Sequence, residues 1–253
     1  MKRLVVSQPM FLPWRGMFQQ IGLCDVFVFY DDVQLPYGGG GKGRGFITRT
    51  EIKTKSGWQW LSVPINRAEK GPQLIREARF ANLSWKGQHM ERIRHAYRKA
   101  SFFKEVYESV VVPIYGHETD RLCEWCIASM KFLCELLGIG PEFYVSSELP
   151  VPRQDGASQR LLEYCRHFGA NEYLTGHGGY NYLKHDVFED AGVAVKYVKY
   201  DLSPYPQLHG EYNPFLSIID LLFNIGTDRT PSFLTAETVY WKEFLRGRTH
   251  WNK

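Results

Sequence analysis

Apolar residues along this chain follow two rhythms: short unbroken runs, and recurrences every three or four positions. Arg3-Leu-Val-Val-Ser7 is one run and Asp25-Val-Phe-Val-Phe-Tyr30 another. Between them Pro9 and Pro13 bracket a turn, and Gly16 to Leu23 predicts a short helix. Strands without polar alternation are covered on both faces, so these pieces predict a parallel βαβ unit with a right-handed crossover. Residues 46–54 and 58–65 then read as two strands turning at Ser56-Gly57, a hairpin laid beside the parallel unit.

From Ser84 the helical period takes over. Trp85, His89, Ile93 and Tyr97 recur every four residues behind a candidate N-cap at Ser84. Further helices are predicted from about Phe102 to Ile114 and from Thr119 to before Gly138. The last third alternates, with strands at 143–145, 172–174 and 193–200 and helices over 157–168 and 180–191 closed by Gly169 and Gly192. Asn213-Pro214 reads as the start of a helix through Asn224, and a final amphipathic helix spans about 233–246. This order predicts a three-layer α/β fold with a mostly parallel sheet. The hairpin is inserted in it, a helical segment runs over about 84–138, and one domain covers 1–253.

Composition excludes several classes. With 253 residues, 44% hydrophobic and 23% charged, the chain is globular rather than disordered or fibrous. The unusual figure is 15% aromatic, which suggests either a large ring-rich core or a ring-lined cleft. No apolar run reaches the roughly 18 residues of a membrane span. Five cysteines, an odd count, and no export-signal pattern predict reduced thiols in the cytoplasm. A formal charge of +4 is too small to argue for nucleic acid. Its distribution says more: Lys42, Arg44, Arg49, Lys53 and Lys55 stand with only Glu51 among them, after Gly38 to Gly41. Glycine lets backbone N–H groups approach an anion and arginine grips oxoanions with two bonds, so this loop reads as a local anion site, Arg44 and Arg49 before Lys42. The spacing is not that of a Walker loop.

Ligands in open parallel sheets sit beyond the carboxyl ends of strands. That rule singles out Gln8, Tyr30, Asp31, Asp32 and Gln34, then Ser146-Ser147-Glu148, then Gly176 and His177. For Asp31 and Asp32 the alternative is a turn cap, and for His177 a plain glycine turn. Tyr205 and Gln207 form a further polar pair. Ser217 and Asp220, three apart on an otherwise apolar helix, predict a buried network that holds a site or fixes the helix. His89 shares an apolar stripe and reads as a satisfied core histidine. Cys123 and Cys126 have redox spacing but fall inside a long helix, so packing is preferred. No metal is predicted, because no second Cys pair or suitably spaced His completes a set.

Ser7-Gln-Pro-Met-Phe-Leu-Pro13, Gly16-Met-Phe18, Val28-Phe-Tyr-Asp-Asp-Val-Gln34 and Trp60-Leu-Ser-Val-Pro64, followed in order by Ser146-Ser-Glu148, Tyr173-Leu-Thr-Gly176, Tyr205-Pro-Gln207 and Leu216-Ser-Ile-Ile-Asp-Leu-Leu-Phe-Asn224, run across nearly the whole chain. The ordered set resembles the WbqC-like family of bacterial proteins. In one departure, Gly38 to Gly45 replaces most of a bulky basic segment that the family usually carries after its double Asp. The first βαβ unit is also similar to the nucleotidyltransferase and pantothenate-synthetase group, although Pro13-Trp-Arg-Gly16 stands where that group has His-x-Gly-His. These resemblances imply a Rossmann-like, nucleotidyltransferase-like sheet and a role in O-antigen, other surface-polysaccharide or small-molecule biosynthesis.

The activity implied is a transferase modifying an amino sugar or similar amine, with a nucleotide-linked or phosphopantetheine-linked donor and no resident cofactor. Asp31 or Asp32 would then be general base, with Arg44, Arg49 and His177 holding the anionic part. Gln8, Gln207 and the aromatics would orient the ring. Two alternatives stand beside it: a carrier-protein-dependent acyltransferase or ligase whose basic loop docks the carrier arm, and a non-catalytic binding protein of the same pathway.

Overall fold

The computed structural model describes residues 1–36, 46–66, 72–154 and 156–247. β1 (Arg3–Ser7) and β2 (Val26–Phe29) pair in parallel from Leu4 opposite Val26 to Ser7 opposite Phe29, with α1 (Arg15–Gly22) between them. All of β2 is buried, which is why its apolar run is unbroken. β3 (Arg49–Thr54) and β4 (Gly57–Ser62) form the expected hairpin as a separate antiparallel pair. Gly57 makes its turn at φ +105°, where a side chain would be strained.

The helical segment comprises α2 (Trp85–Tyr97), α3 (Phe103–Val106) continuing through a π turn at Tyr107–Val111 into α4 (Val112–Gly116), and α5 (Leu122–Leu136). Ser84 does not cap α2. Its backbone is already helical, and its hydroxyl donates to Asn82 Oδ1 at 2.7 Å. His89 is buried as expected, with Nε2–H on the Ser62 carbonyl at 3.1 Å, and burial pushes its pKa down to about 4.

β5 (Glu142–Val145), α6 (Ala157–Phe168), β6 (Glu172–Thr175), α7 (His185–Asp190) and β7 (Ala194–Tyr200) follow the predicted order. Gly169 ends α6 in the left-handed region at φ +62°. Two of the predicted helices fail. The helix read from Asn213 begins only at Ile218, as α8 (Ile218–Ile225). Ahead of it the Ser217 N–H bonds the Glu51 carbonyl and the Ile218 N–H the Pro13 carbonyl, so tertiary bonds hold the chain out of the helix. The helix read over 233–246 is instead β8 (Ala236–Tyr240) followed by α9 (Trp241–Gly247). Here Thr238, Val239 and Tyr240, all good strand formers, pair antiparallel with β7.

The sheet runs β5-β2-β1-β6-β7-β8, with every pair parallel except the last. Counted in chain order, the parallel strands lie 3-2-1-4-5, so the sheet changes its direction of growth between β1 and β6. Alternate side chains feed two cores. Val5, Phe27, Phe29 and Leu174 join one with α1, α5 and α8, while Leu4, Val6, Val26, Val28 and Tyr173 join the other with α6 and α7. Among the described residues no helix is long and apolar enough to cross a membrane.

Candidate functional site

Where β1 and β6 sit side by side, their following connections leave for opposite ends of the sheet, and a crevice opens at the strand ends. The structure has a cavity of about 1010 Å3 there. β1 and the turn after it contribute Val6, Ser7 and Gln8, the loop after β6 contributes Thr175 to Gly179, and β7 contributes Val198 to Tyr200. The rings of Trp14, Tyr30, Phe46, Tyr182, Phe215 and Phe244 complete a wall that is mostly apolar, with polar groups at few points. Gly176 lets the β6 loop pack on β7, because a Cβ there would lie 2.7 Å from the Tyr200 hydroxyl oxygen.

His177 lines this cavity. Its Nε2 lies 2.9 Å from the Val198 carbonyl oxygen, which can only accept. The proton is therefore on Nε2, and in the neutral ring Nδ1 carries the lone pair. The rings of Tyr200 and Phe244 stand 5.2 and 5.0 Å from it.

Asp31 and Asp32 do meet Ser146 and Ser147, across the ends of β2 and β5. Ser146 Oγ stands 2.8 Å from Asp31 Oδ1 and 2.6 Å from Asp32 Oδ1, one hydroxyl proton between two carboxylates. The Ser147 N–H and hydroxyl donate to Asp31 at 2.9 and 2.7 Å. Arg160 of α6 closes the cluster by pairing with Asp32 Oδ2. Every carboxylate oxygen thus faces a donor. Burial works to raise the Asp32 pKa, but hydrogen bonds from Arg160 and Ser146 and the charges of Arg160 and Arg153 hold it below its ordinary value. Neither aspartate lines the cavity, whereas Tyr30 and Val33 on either side of them do. The Arg160 guanidinium carbon lies 4.9 Å from the centre of the Tyr30 ring, so the acid cluster braces a cavity wall.

The remaining candidates stand elsewhere. Glu148 and Gln34 are exposed, and Gln34 bridges to Leu74. Arg49 lies over the Trp60 ring at 4.3 Å. Arg44, with Lys42 and the glycine run, falls outside the described residues. Gln207 exchanges two 2.9 Å bonds with Asn213 and accepts from Lys53 Nζ at 3.2 Å. Tyr205 and Tyr97 donate to the two oxygens of Asp220 at 2.8 and 2.9 Å, while Ser217 donates to the Leu12 carbonyl at 2.8 Å. Those two helix residues therefore serve two separate networks.

Sequence reasoning missed Arg160, Gln20, Tyr182 and Tyr200. Tyr200 ends a strand, and the rule that found Gln8 would have found it. Arg160 carries no such mark, since an arginine on an amphipathic helix ordinarily faces water.

An open, mostly parallel α/β sheet with a small-molecule-sized cavity at its strand ends defines the class of protein. The chain belongs to the WbqC-like protein family, whose model matches residues 8–231. It is 32% identical over 236 residues to "Uncharacterized protein Rv1507c" of Mycobacterium tuberculosis (strain ATCC 25618 / H37Rv), covering 92% of this chain and 98% of that protein. No solved structure matches the chain.

Proposed function

We propose that this protein is a single-domain, Rossmann-like transferase of the cytoplasm that modifies an amino sugar, or a comparable small amine or hydroxyl acceptor, in surface-polysaccharide or small-molecule biosynthesis. The observation that carries the reading is His177 in the wall of the cavity where β1 and β6 diverge. The 3-2-1-4-5 strand order supports the Rossmann-like, nucleotidyltransferase-like assignment. Ring faces such as Trp14, Tyr30 and Tyr182 suit the C–H faces of a sugar, and the amides of Gln8 and Gln20 suit its hydroxyl or amine groups. His177 Nδ1 takes the proton as the acceptor's amine or hydroxyl bonds to the transferred group, while the bond from that group to the donor breaks and the nucleotide or pantetheine thiolate leaves with the electron pair. Asp31, Asp32, Ser146, Ser147 and Arg160 act on this site through Tyr30, as positioning groups. Five free, buried cysteines accord with a reducing compartment.

The test is a thermal-shift screen of amino sugars, nucleotide-sugars and acyl-carrier thioesters, followed by mass spectrometry of the products. His177→Ala is expected to keep saccharide binding and to lose about 100-fold or more in turnover. Saccharide binding with no turnover on any donor would make the protein an accessory binder. Stabilisation by none of these ligands would remove the substrate class.

A further inference from the structure

Arg15, the first residue of α1, is 2% exposed, and its Nε, Nη1 and Nη2 have no hydrogen-bond partner among the described residues. The contact it makes is with the face of Tyr205, at 5.7 Å from the guanidinium carbon to the ring centre. A guanidinium taken out of water and left unpaired is strongly unfavourable. Such a group persists where something outside the chain completes it.

The start of α1 points to the same kind of partner. α1 starts with no side-chain cap and no acidic residue in its first turn, so its leading N–H groups add positive potential there. Side chains lean toward the N-terminus of their helix, which brings the Arg15 fork to the same place.

The cavity lies next door. Trp14 lines it, and so do Tyr200 and Leu202 on either side of Asp201. The Asp201 carboxyl is held below its ordinary pKa by the Ser203 hydrogen bonds first and by the Arg15 charge as well. The Trp14 indole packs on Tyr200 and Phe215 at 4.9 and 5.5 Å and lies across Gly16, over the start of α1. The Trp14 side chain thus belongs both to the cavity wall and to the start of α1.

We infer that Arg15 is the grip for an oxoanion group on the cavity ligand, reached when the Trp14 indole swings off Gly16. The ligand class is therefore a small molecule with an anionic end, either the phosphate of a nucleotide-linked donor or the carboxylate of an acidic acceptor. Both present the paired oxygens that match a guanidinium fork. The inference rests on the cavity being the ligand site and is independent of the transfer step.

The experiment is calorimetric titration and thermal unfolding of the full chain with inorganic phosphate and with acetate, ionic strength being held with chloride. Wild type is expected to bind phosphate and gain stability. Arg15→Met is expected to be as stable as wild type or more so without ligand, because it removes a buried unpaired charge. It should bind the oxoanion at least about tenfold more weakly, a loss of about 1.4 kcal/mol. Arg15→Lys keeps the charge without the fork and should fall between the two. Phosphate outbinding acetate assigns the phosphate source, and the reverse assigns the carboxylate. The inference is overturned if neither oxoanion exceeds chloride on wild type. It is also overturned if Arg15→Met unfolds more easily while phosphate stabilises wild type and Arg15→Lys alike, which would make Arg15 a structural residue. Saccharide binding without any oxoanion effect would remove this inference and leave the proposed function standing.

Discussion

The indole of Trp14 occupies the space that a side chain on Gly16 would need: a Cβ built there lies 2.3 Å from two of its ring carbons. Glycine early in a helix ordinarily costs about 1 kcal/mol relative to alanine, so its presence here is explained by the ring above it. Gly16→Ala must push the indole off Tyr200 and Phe215, deforming the cavity wall. We expect a loss of roughly 1–3 kcal/mol in urea unfolding, the range for overpacking, and weaker binding of any cavity ligand. Trp14→Ala in the same chain should cancel most of that loss. A double-mutant cycle without coupling would show that the ring does not depend on Gly16.

Arg160 and Asp32 are a second pair whose separation is costly, each side chain being 7% exposed. Arg160→Met leaves a buried carboxylate unpaired, and Asp32→Asn leaves a buried guanidinium unpaired, so each should lose about 3–5 kcal/mol. The pH dependence has a definite sign. The Asp32 pKa is lowered in the folded state, so its stabilisation is present above the unfolded value near 3.8 and fades as pH falls through the folded value. Denaturation across the acid range should show that loss in wild type and a flatter curve in Asp32→Asn. An equal slope in both would detach Asp32 from acid stability.

How much of this could be read from the chain depended on whether the cause was local. The β1 and β2 runs, the turn at Gly57 and the Gly169 helix end rest on short-range rules, and all appear where expected. The false helix start at Asn213 has a local cause too: its Oδ1 does accept a nearby N–H, that of Phe215 at 3.0 Å, but in a turn that does not propagate. The bonds that delay the helix come from Glu51 and Pro13, far away in sequence. β8 was lost because apolar residues spaced along 233–246 fit a helical face as well as an edge strand, and only pairing with β7 decides between them. The rings divide in the same way. Trp14 and Tyr30 line the cavity, whereas Phe11 stacks on Trp125 at 4.7 Å in the core. Arg15 and Arg160 look like solvated helix charges until tertiary packing buries them.

Cysteine chemistry gives a simple check on the core. All five thiols are free and buried. Burial pushes the pKa of Cys134 and Cys165 up to about 12, and that of Cys123 likewise with some help from the Asp31 charge, so almost no thiolate exists at neutral pH. Cys123 and Cys126 should therefore show no redox couple, and an aromatic disulfide reagent should label the native protein only as fast as it unfolds. Rapid labelling of either residue in the native state would contradict the packing role assigned to that helix.

Asp220 should impose the opposite pH dependence to Asp32. It is fully buried on α8, and burial raises its pKa to about 6 even though Tyr205 and Tyr97 both donate to it. Between the unfolded value near 3.8 and the folded value near 6, the native state holds a proton that the unfolded chain has lost. Stability from this group is therefore complete below that window, declines as pH rises through it, and levels off above it. A tenfold difference in proton affinity between the two states corresponds to roughly 1.4 kcal/mol. Asp220→Asn keeps an acceptor for one tyrosine and offers a donor to the other hydroxyl, yet cannot ionise. Its stability relative to wild type should rise steadily across the window and then stay constant. Denaturant unfolding of both proteins at closely spaced pH values measures that difference. A difference moving the other way would mean that Asp220 is already ionised in the native protein throughout that window, with Lys53 nearby as the compensating charge.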